Sequence, residues 1–320
     1  MISENMRKEL KELQKIEGKG KFANLTLDMP FKKAFGSETE KEPLIATLNA
    51  CLERKLKYPI ADVDIKNPYI IGQTKGSRDT ELDIRCRDSQ GNEFIVEMQI
   101  GRQKHFVKRA NYYASMVIAA SAPKGDDWDF DYPSIYSLNF LNFDLDIWGK
   151  SDNIIHHVSF FDEDMPELRF DSVNLVFVRL SRFEKSLEEC ESFRDKLFFS
   201  LRHAHEFDEK PAQLEGDLFD KIFMAAKIAS FTSREYEEYR AGLMRKWDYG
   251  ASMKFAKEEG VAEGWKSGKA EGITIGEAKG VAIGEAKGVL RTARQMKAEG
   301  LSFNLISRVT GLSEDEIERL

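Results

Sequence analysis

The sequence predicts an α/β layer fold. Three observations carry that reading: an early helical pattern, a series of strand-like runs interrupted by one further helix, and unbroken helical character after Ser181. Helix, strands, helix and strands in that order place helices against a sheet. Residues 31–57 read as helical, with Leu44, Ile45, Leu48 and Leu52 at three- and four-residue spacing. Residues 62–71 enter the sheet through Val63, Ile65, Tyr69 and Ile71, and a β-hairpin follows. A helix over about 103–120 sets Phe106, Ala110, Tyr113 and Val117 on one stripe. Residues 133–143 and 154–161 alternate as strands, and 173–180 closes the series.

The hairpin carries the chemistry. Glu81-Leu82-Asp83-Ile84-Arg85 and Phe94-Ile95-Val96-Glu97-Met98-Gln99-Ile100 flank a turn at Asp88-Ser89-Gln90-Gly91-Asn92. Leu82, Ile84 and Cys86 share a face of the first strand; Phe94, Val96, Met98 and Ile100 share a face of the second. The apolar sets coincide when the turn is centred on Gln90, which brings Asp83 opposite Glu97. Their Cβ atoms then lie roughly 5 Å apart, with Gln99 about 7 Å further along the same face. Two like charges at that distance destabilise a sheet unless something positive stands between them, and a divalent cation is the natural candidate. Glu97 also interrupts a nearly continuous apolar run, the mark of a strand covered on both faces, where an unpaired carboxylate is expensive. Glu81, Glu93, Arg85 and Arg87 read instead as solvated charges on the polar face. The basic segment Gly101-Arg102-Gln103-Lys104-His105-Phe106-Val107-Lys108-Arg109 follows at once.

Asp83, a thirteen-residue gap and Glu97-Met98-Gln99 resemble the D…(D/E)xK signature of restriction-endonuclease-like nucleases, with Gln in place of Lys. The surrounding text is similar to the bacterial recombination-promoting nuclease and transposase branch. Asp28-Met29-Pro30-Phe31-Lys32-Lys33-Ala34-Phe35-Gly36, Leu44-Ile45-Ala46-Thr47-Leu48-Asn49-Ala50, Leu82-Asp83-Ile84, Glu97-Met98-Gln99-Ile100 and Lys108-Arg109-Ala110-Asn111-Tyr112-Tyr113 carry that likeness, over about 22–183. The resemblance implies a restriction-endonuclease-like core, a mixed central sheet flanked by helices, and a metal-dependent DNA endonuclease. It implies Asp83 and Glu97 as ligands of Mg²⁺ or Mn²⁺, Gln99 in the place of the Lys, and Asp28 as an additional acid. Asp28 also stands where an N-cap would precede a helix beginning at Pro30, and both readings stay open. Leu82 replaces the Pro that usually precedes the first acid. Gln99 supplies neither charge nor a proton, but can orient an attacking water; a main-chain carbonyl near Met98 is a further ligand candidate.

Lys32, Lys33, Arg102, Lys104, Lys108 and Arg109 are candidate phosphate contacts, and Tyr112 is placed to flank the site. His156 and His157 face opposite sides of a strand, and His203 and His205 stand about 200° apart on a helix, so neither pair forms a metal site.

A chain of 320 residues holds one large or two modest domains. Its net charge of −7 argues against a protein that coats nucleic acid, though not against a local basic patch. No apolar run is long enough to cross a membrane, the N-terminus lacks a signal-peptide core, and Cys51, Cys86 and Cys190 lack metal-type spacing, so a reducing cytoplasm fits. The expected organisation is an N-terminal extension (1–20), the nuclease-like core (21–183), a helical bundle region (184–258) and a tail (259–320). In the tail, Gly260, Gly264, Gly268, Gly272, Gly276, Gly280, Gly284 and Gly288 recur every four residues. They read either as a flexible or partly helical linker or as a self-association helix that makes the chain a homo-oligomer. Residues 301–320 resemble a helix-turn-helix around Thr310-Gly311-Leu312-Ser313, with Ser313 and Glu316 as a capping box. The second helix is acidic, which favours a protein-contact or capping role over groove reading. The competing function is a weak or inactive nuclease fold acting as a DNA- or protein-binding regulatory module, favoured by Gln99 and the acidic charge.

Overall fold

The computed structural model describes residues 20–71, 79–121 and 129–320; the N-terminal extension expected over 1–20 lies, but for Gly20, outside them. Two compact units divide between Tyr249 and Gly250.

The first unit is built on a six-stranded mixed sheet. Its strands are β1 (Val63–Lys66), β4 (Ile84–Asp88), β5 (Glu93–Gln99), β6 (Ile135–Leu141), β7 (Ile155–Phe161) and β8 (Arg169–Arg179), in the order β1-β4-β5-β6-β8-β7. The β4–β5 hairpin is antiparallel, β5–β6 and β6–β8 are parallel, and β7 returns antiparallel to β8. A small second sheet joins β2 (Tyr69–Ile70) to β3 (Thr80–Glu81). The hairpin register is the one expected, with Ile84 opposite Val96 and Cys86 opposite Phe94. Its turn is fixed by Asp88, whose Oδ1 accepts from the Gln90 and Asn92 amides (2.9 Å each), and by Gly91 at φ 88°, where a side chain would be strained.

Both faces of the sheet are covered, and strand periodicity sorts the residues between them. Ile84, Cys86, Phe94, Val96 and Met98 face helices α1 (Asp28–Phe35), α2 (Glu42–Leu52), α4 (Phe193–His203) and α5 (Asp217–Ala226). Ile95, Ile135, Leu175 and Phe177 face α3 (Phe106–Ser121) through Phe106, Ala110, Ala114 and Val117.

Several elements differ from expectation. The helix expected over 31–57 is two helices, because Gly36 ends α1 and a polar turn follows, with the Glu40 amide donating to Ser37 Oγ (3.1 Å). A Cβ at Gly36 would lie 2.8 Å from the Lys32 carbonyl oxygen, so the close approach there requires glycine. The strand expected over 62–71 is split at Asn67-Pro68, since proline cannot donate to a ladder. Leu82 does not share the face of Ile84: the chain leaves the β4 ladder before Ile84, the Leu82 amide donates to Pro68 O (3.0 Å), and its side chain packs with Ile70 and Ile95.

The helices beyond 184 are not a separate bundle. Leu197, Phe198, Leu201, Phe219 and Ile222 share one core with Phe31, Leu44, Phe140 and Val176, so the interior is continuous across the expected 183/184 boundary. The segment before α1 ties them in: the Lys21 amide donates to Phe207 O and the Ala23 amide to Ala226 O, both 2.8 Å. Ala23, Leu27 and Met29 then pack on Tyr236, Tyr239 and Leu243, at the start of α6 (Ser233–Ala298).

The glycine repeat lies within α6 and is helical. In the second unit, Ala293 of α6 packs with Ile306 of α7 (Phe303–Thr310) and Ile317 of α8 (Glu314–Glu318). Gly311 caps α7 at φ 76° and Ser313 forms the expected capping box with Glu316. Among the described residues no helix is long and apolar enough to cross a membrane.

Candidate active site

Asp83 and Glu97 meet at the end of the hairpin, where β5 emerges from the sheet. Asp83 falls just before the first residue of β4, so side chains replace the ladder there. The Asp83 amide donates to Glu97 Oε1 (3.1 Å), and the Met98 amide donates to Asp83 Oδ2 (2.7 Å). Each carboxylate is thereby fixed by the other residue's strand. Glu97 is 1% exposed and points to the α3 side with Ile95. Burial raises the pKa of both carboxyls above the ordinary range, and the charge of the other acids adds to the rise: Asp83 acts on Glu97, and Asp28 on Asp83.

Asp28, from a distant part of the chain, completes an acidic corner. It is the first residue of α1, where Leu27 is the N-cap and no side chain caps the helix, so the N-cap reading of Asp28 is not what forms. Its Oδ1 lies 2.9 Å from Lys32 Nζ one turn on, and that ammonium is 3.9 Å from Asp83 Oδ1 and 3.8 Å from Glu81 Oε1.

Gln99 donates from Nε2 to Glu97 Oε2 (3.0 Å) and accepts from Gln103 Nε2 (3.4 Å). Gln103 in turn accepts from Arg109 Nη1 (2.6 Å), while Arg109 Nε donates to Tyr113 Oη (2.5 Å) with its guanidinium over the Tyr113 ring. The positive charge of Arg109 works against the rise at Glu97. A polar chain thus runs from the acid pair to helix α3.

The remaining basic residues are dispersed. Lys33 turns away, with Nζ 2.6 Å from Glu235 Oε1 and lying over the Phe231 ring. Arg102 pairs with Asp146, and its amide donates to Tyr249 Oη (2.7 Å). Lys104, Lys108 and Tyr112 are exposed. Glu93 is not a solvated acid: it is fully buried and gripped by Arg85 Nε (3.1 Å) and Arg87 Nη2 (2.5 Å). His156 stacks on Trp148, while His157, held well below its usual pKa by burial and then by Arg54 and Lys55, lies toward the other layer.

Asn139 is a neighbour that the sequence reading passed over. It is Glu97's register partner on β6, buried on the same face, and its Oδ1 has no hydrogen-bond partner among the described residues. The signal was there, in Ser137 and Asn139 breaking the apolar run of β6 at alternate positions.

The acid pair suits a hard cation by its donors: oxygen only, buried, and mutually repelling. Among the described residues no group of three or more His, Cys, Asp and Glu side chains is arranged to hold an ion. Two carboxylates nevertheless fit a small divalent ion that keeps most of its water.

Residues 25–256 match the PD-(D/E)XK nuclease family transposase description, and residues 287–320 match the Rpn/YhgA-like nuclease family, C-terminal HTH domain. No curated protein and no solved structure matches the chain. With a mixed six-stranded sheet between helices, and a family match over most of its length, this chain belongs to the PD-(D/E)XK nuclease family transposases.

Proposed function

We propose that the chain is a metal-dependent DNA endonuclease in which Asp83 and Glu97 hold Mg²⁺ or Mn²⁺. The observation that carries this reading is the pair itself. Two carboxylates are buried together and locked by each other's strand amides, an arrangement whose repulsion a bound cation relieves. When bound, a divalent cation supplies Lewis-acid charge to the phosphoryl group and acidifies water. The protein's own residues do the positioning. Glu97 and Gln103 orient the Gln99 amide, which presents one donor and one acceptor to an incoming water. Asp28 adds a third acid beside Asp83. Among the described residues Lys32 and Arg109 are basic residues that act on the pair, and Lys104 and Lys108 are exposed before and on α3. The match to a C-terminal HTH domain supports a DNA-facing role for 287–320, whereas Glu314, Asp315, Glu316 and Glu318 speak against α8 itself lying in a groove.

Supercoiled plasmid tests the reading. Nicking in Mg²⁺ or Mn²⁺ is expected to fall by about 100-fold or more in both Asp83→Asn and Glu97→Gln. Cleavage that survives in both variants removes the assignment. Retained DNA binding by a wild-type chain that never cleaves would favour the regulatory-module reading.

A further inference from the structure

Position 99 offers an amide, bonded to Glu97, where nuclease signatures of this type carry an ammonium, and an ammonium from another element stands near Asp83, the other acid of the pair. Lys32 reaches the acids from helix α1. Its Nζ is 2.9 Å from Asp28 Oδ1, but 3.8 Å from Glu81 Oε1 and 3.9 Å from Asp83 Oδ1. An ammonium has three donors. Asp28 takes one at hydrogen-bond distance, and the other two acids attract the charge without engaging a donor. The side chain is 30% exposed, so an incoming phosphate can reach it.

Arg109, the other cation near the pair, is engaged differently. Tyr113 Oη and Gln103 Oε1 take its Nε and Nη1 donors, and its charge acts on Glu97. The helix geometry also isolates Lys32 from its neighbour: about 100° further round the helix, Lys33 is committed to Glu235. Asp28, one turn before Lys32 on the same face, holds the ammonium on the Asp83 side.

We infer that Lys32 supplies, from helix α1, the positive charge at the scissile phosphate that Gln99 cannot supply. The inference rests on the reading of Asp83 and Glu97 as the nuclease site. As water attacks phosphorus and the ester bond to the leaving oxygen breaks, negative charge builds on the non-bridging oxygens. A preorganised ammonium with two donors unengaged among the described residues stabilises that charge. Lys32 acts by charge alone; the attacking water gives up its proton to solvent, and the leaving oxygen takes one from it.

The test uses the full chain with Lys32→Gln, Gln99→Lys and the double variant. Three quantities are measured: plasmid nicking in Mn²⁺, Mn²⁺ affinity by calorimetry, and duplex affinity in Ca²⁺ by anisotropy. Lys32→Gln is expected to lower kcat by about 100-fold, while duplex and Mn²⁺ affinities stay within about threefold, the scale of one phosphate contact. Placing Lys at 99 in the Lys32→Gln background is expected to return much of the lost rate. Lys32→Met, which keeps the aliphatic stem, serves if Gln at this position lowers the melting temperature. A kcat within about threefold of an active wild type overturns the inference and leaves the endonuclease standing. A loss shared equally by kcat and duplex affinity overturns it too, making Lys32 a binding contact only. A wild type that does not cut overturns both readings together.

Discussion

At the residue scale, Glu97 is informative because its burial is costly: a carboxyl 1% exposed, with its pKa raised. Its carboxyl is raised by burial and then by the charge of Asp83, and that of Asp83 by burial and the charge of Asp28. Both acids are protonated in folded and unfolded chains well below about pH 4. As pH rises, the unfolded chain releases these protons first, and the folded chain must give them up against the raised pKa. Stability contributed by the pair is thus present below about pH 4 and lost as pH rises from there through the folded pKa values of about 6 for Asp83 and about 8 for Glu97. In chelator, Glu97→Gln is expected to flatten that slope and to stabilise the protein by roughly 2 kcal/mol at pH 8, read by urea unfolding across pH. A variant less stable than wild type at pH 8 would contradict the account. Glu93 has the opposite balance. It is buried but satisfied by two arginines, so Glu93→Gln leaves the mostly buried Arg85 uncompensated while the half-exposed Arg87 turns to solvent, and is expected to cost about 2 kcal/mol in the same assay. The alternation of the hairpin made the Asp83–Glu97 meeting legible, because register follows from which residues are apolar. The burial of Glu93 was not legible: it depends on β6 lying beside β5, a pairing between distant segments. For the same reason the approach of Asp28 to Asp83 was expected only from resemblance, and that of Lys32 to the same acid was not expected at all.

At the element scale, apolar periodicity found nearly every strand and helix but placed their ends poorly. Gly36 and Pro68 decided two of the breaks, one through a close approach to a carbonyl and one through a missing donor. The repeat from Gly260 to Gly288 is the element whose sequence and setting fit least well. Each interior glycine costs about 1 kcal/mol relative to alanine, and residues 250–287 are exposed throughout. Self-association through this helix is one of two readings of the repeat, a spacer being the other. Sedimentation of the full chain against one lacking 259–290 is expected to show a dimer reduced to a monomer; equal states of assembly would leave the repeat a helical spacer.

At the scale of the whole molecule, the expected boundary at 183/184 vanishes because the helices beyond it close the interior under the sheet. Sequence pattern shows where character changes, whereas a domain is defined by which residues share a core. The sheet's two-sided cover is what gives the acid pair its force, since the same residues on an open hairpin would be solvated and inert. The most direct test is calorimetric titration of Mn²⁺ into the full chain beside Asp83→Asn and Glu97→Gln. The account requires binding by the wild type and its loss in both folded variants. Equal binding by all three proteins would contradict it.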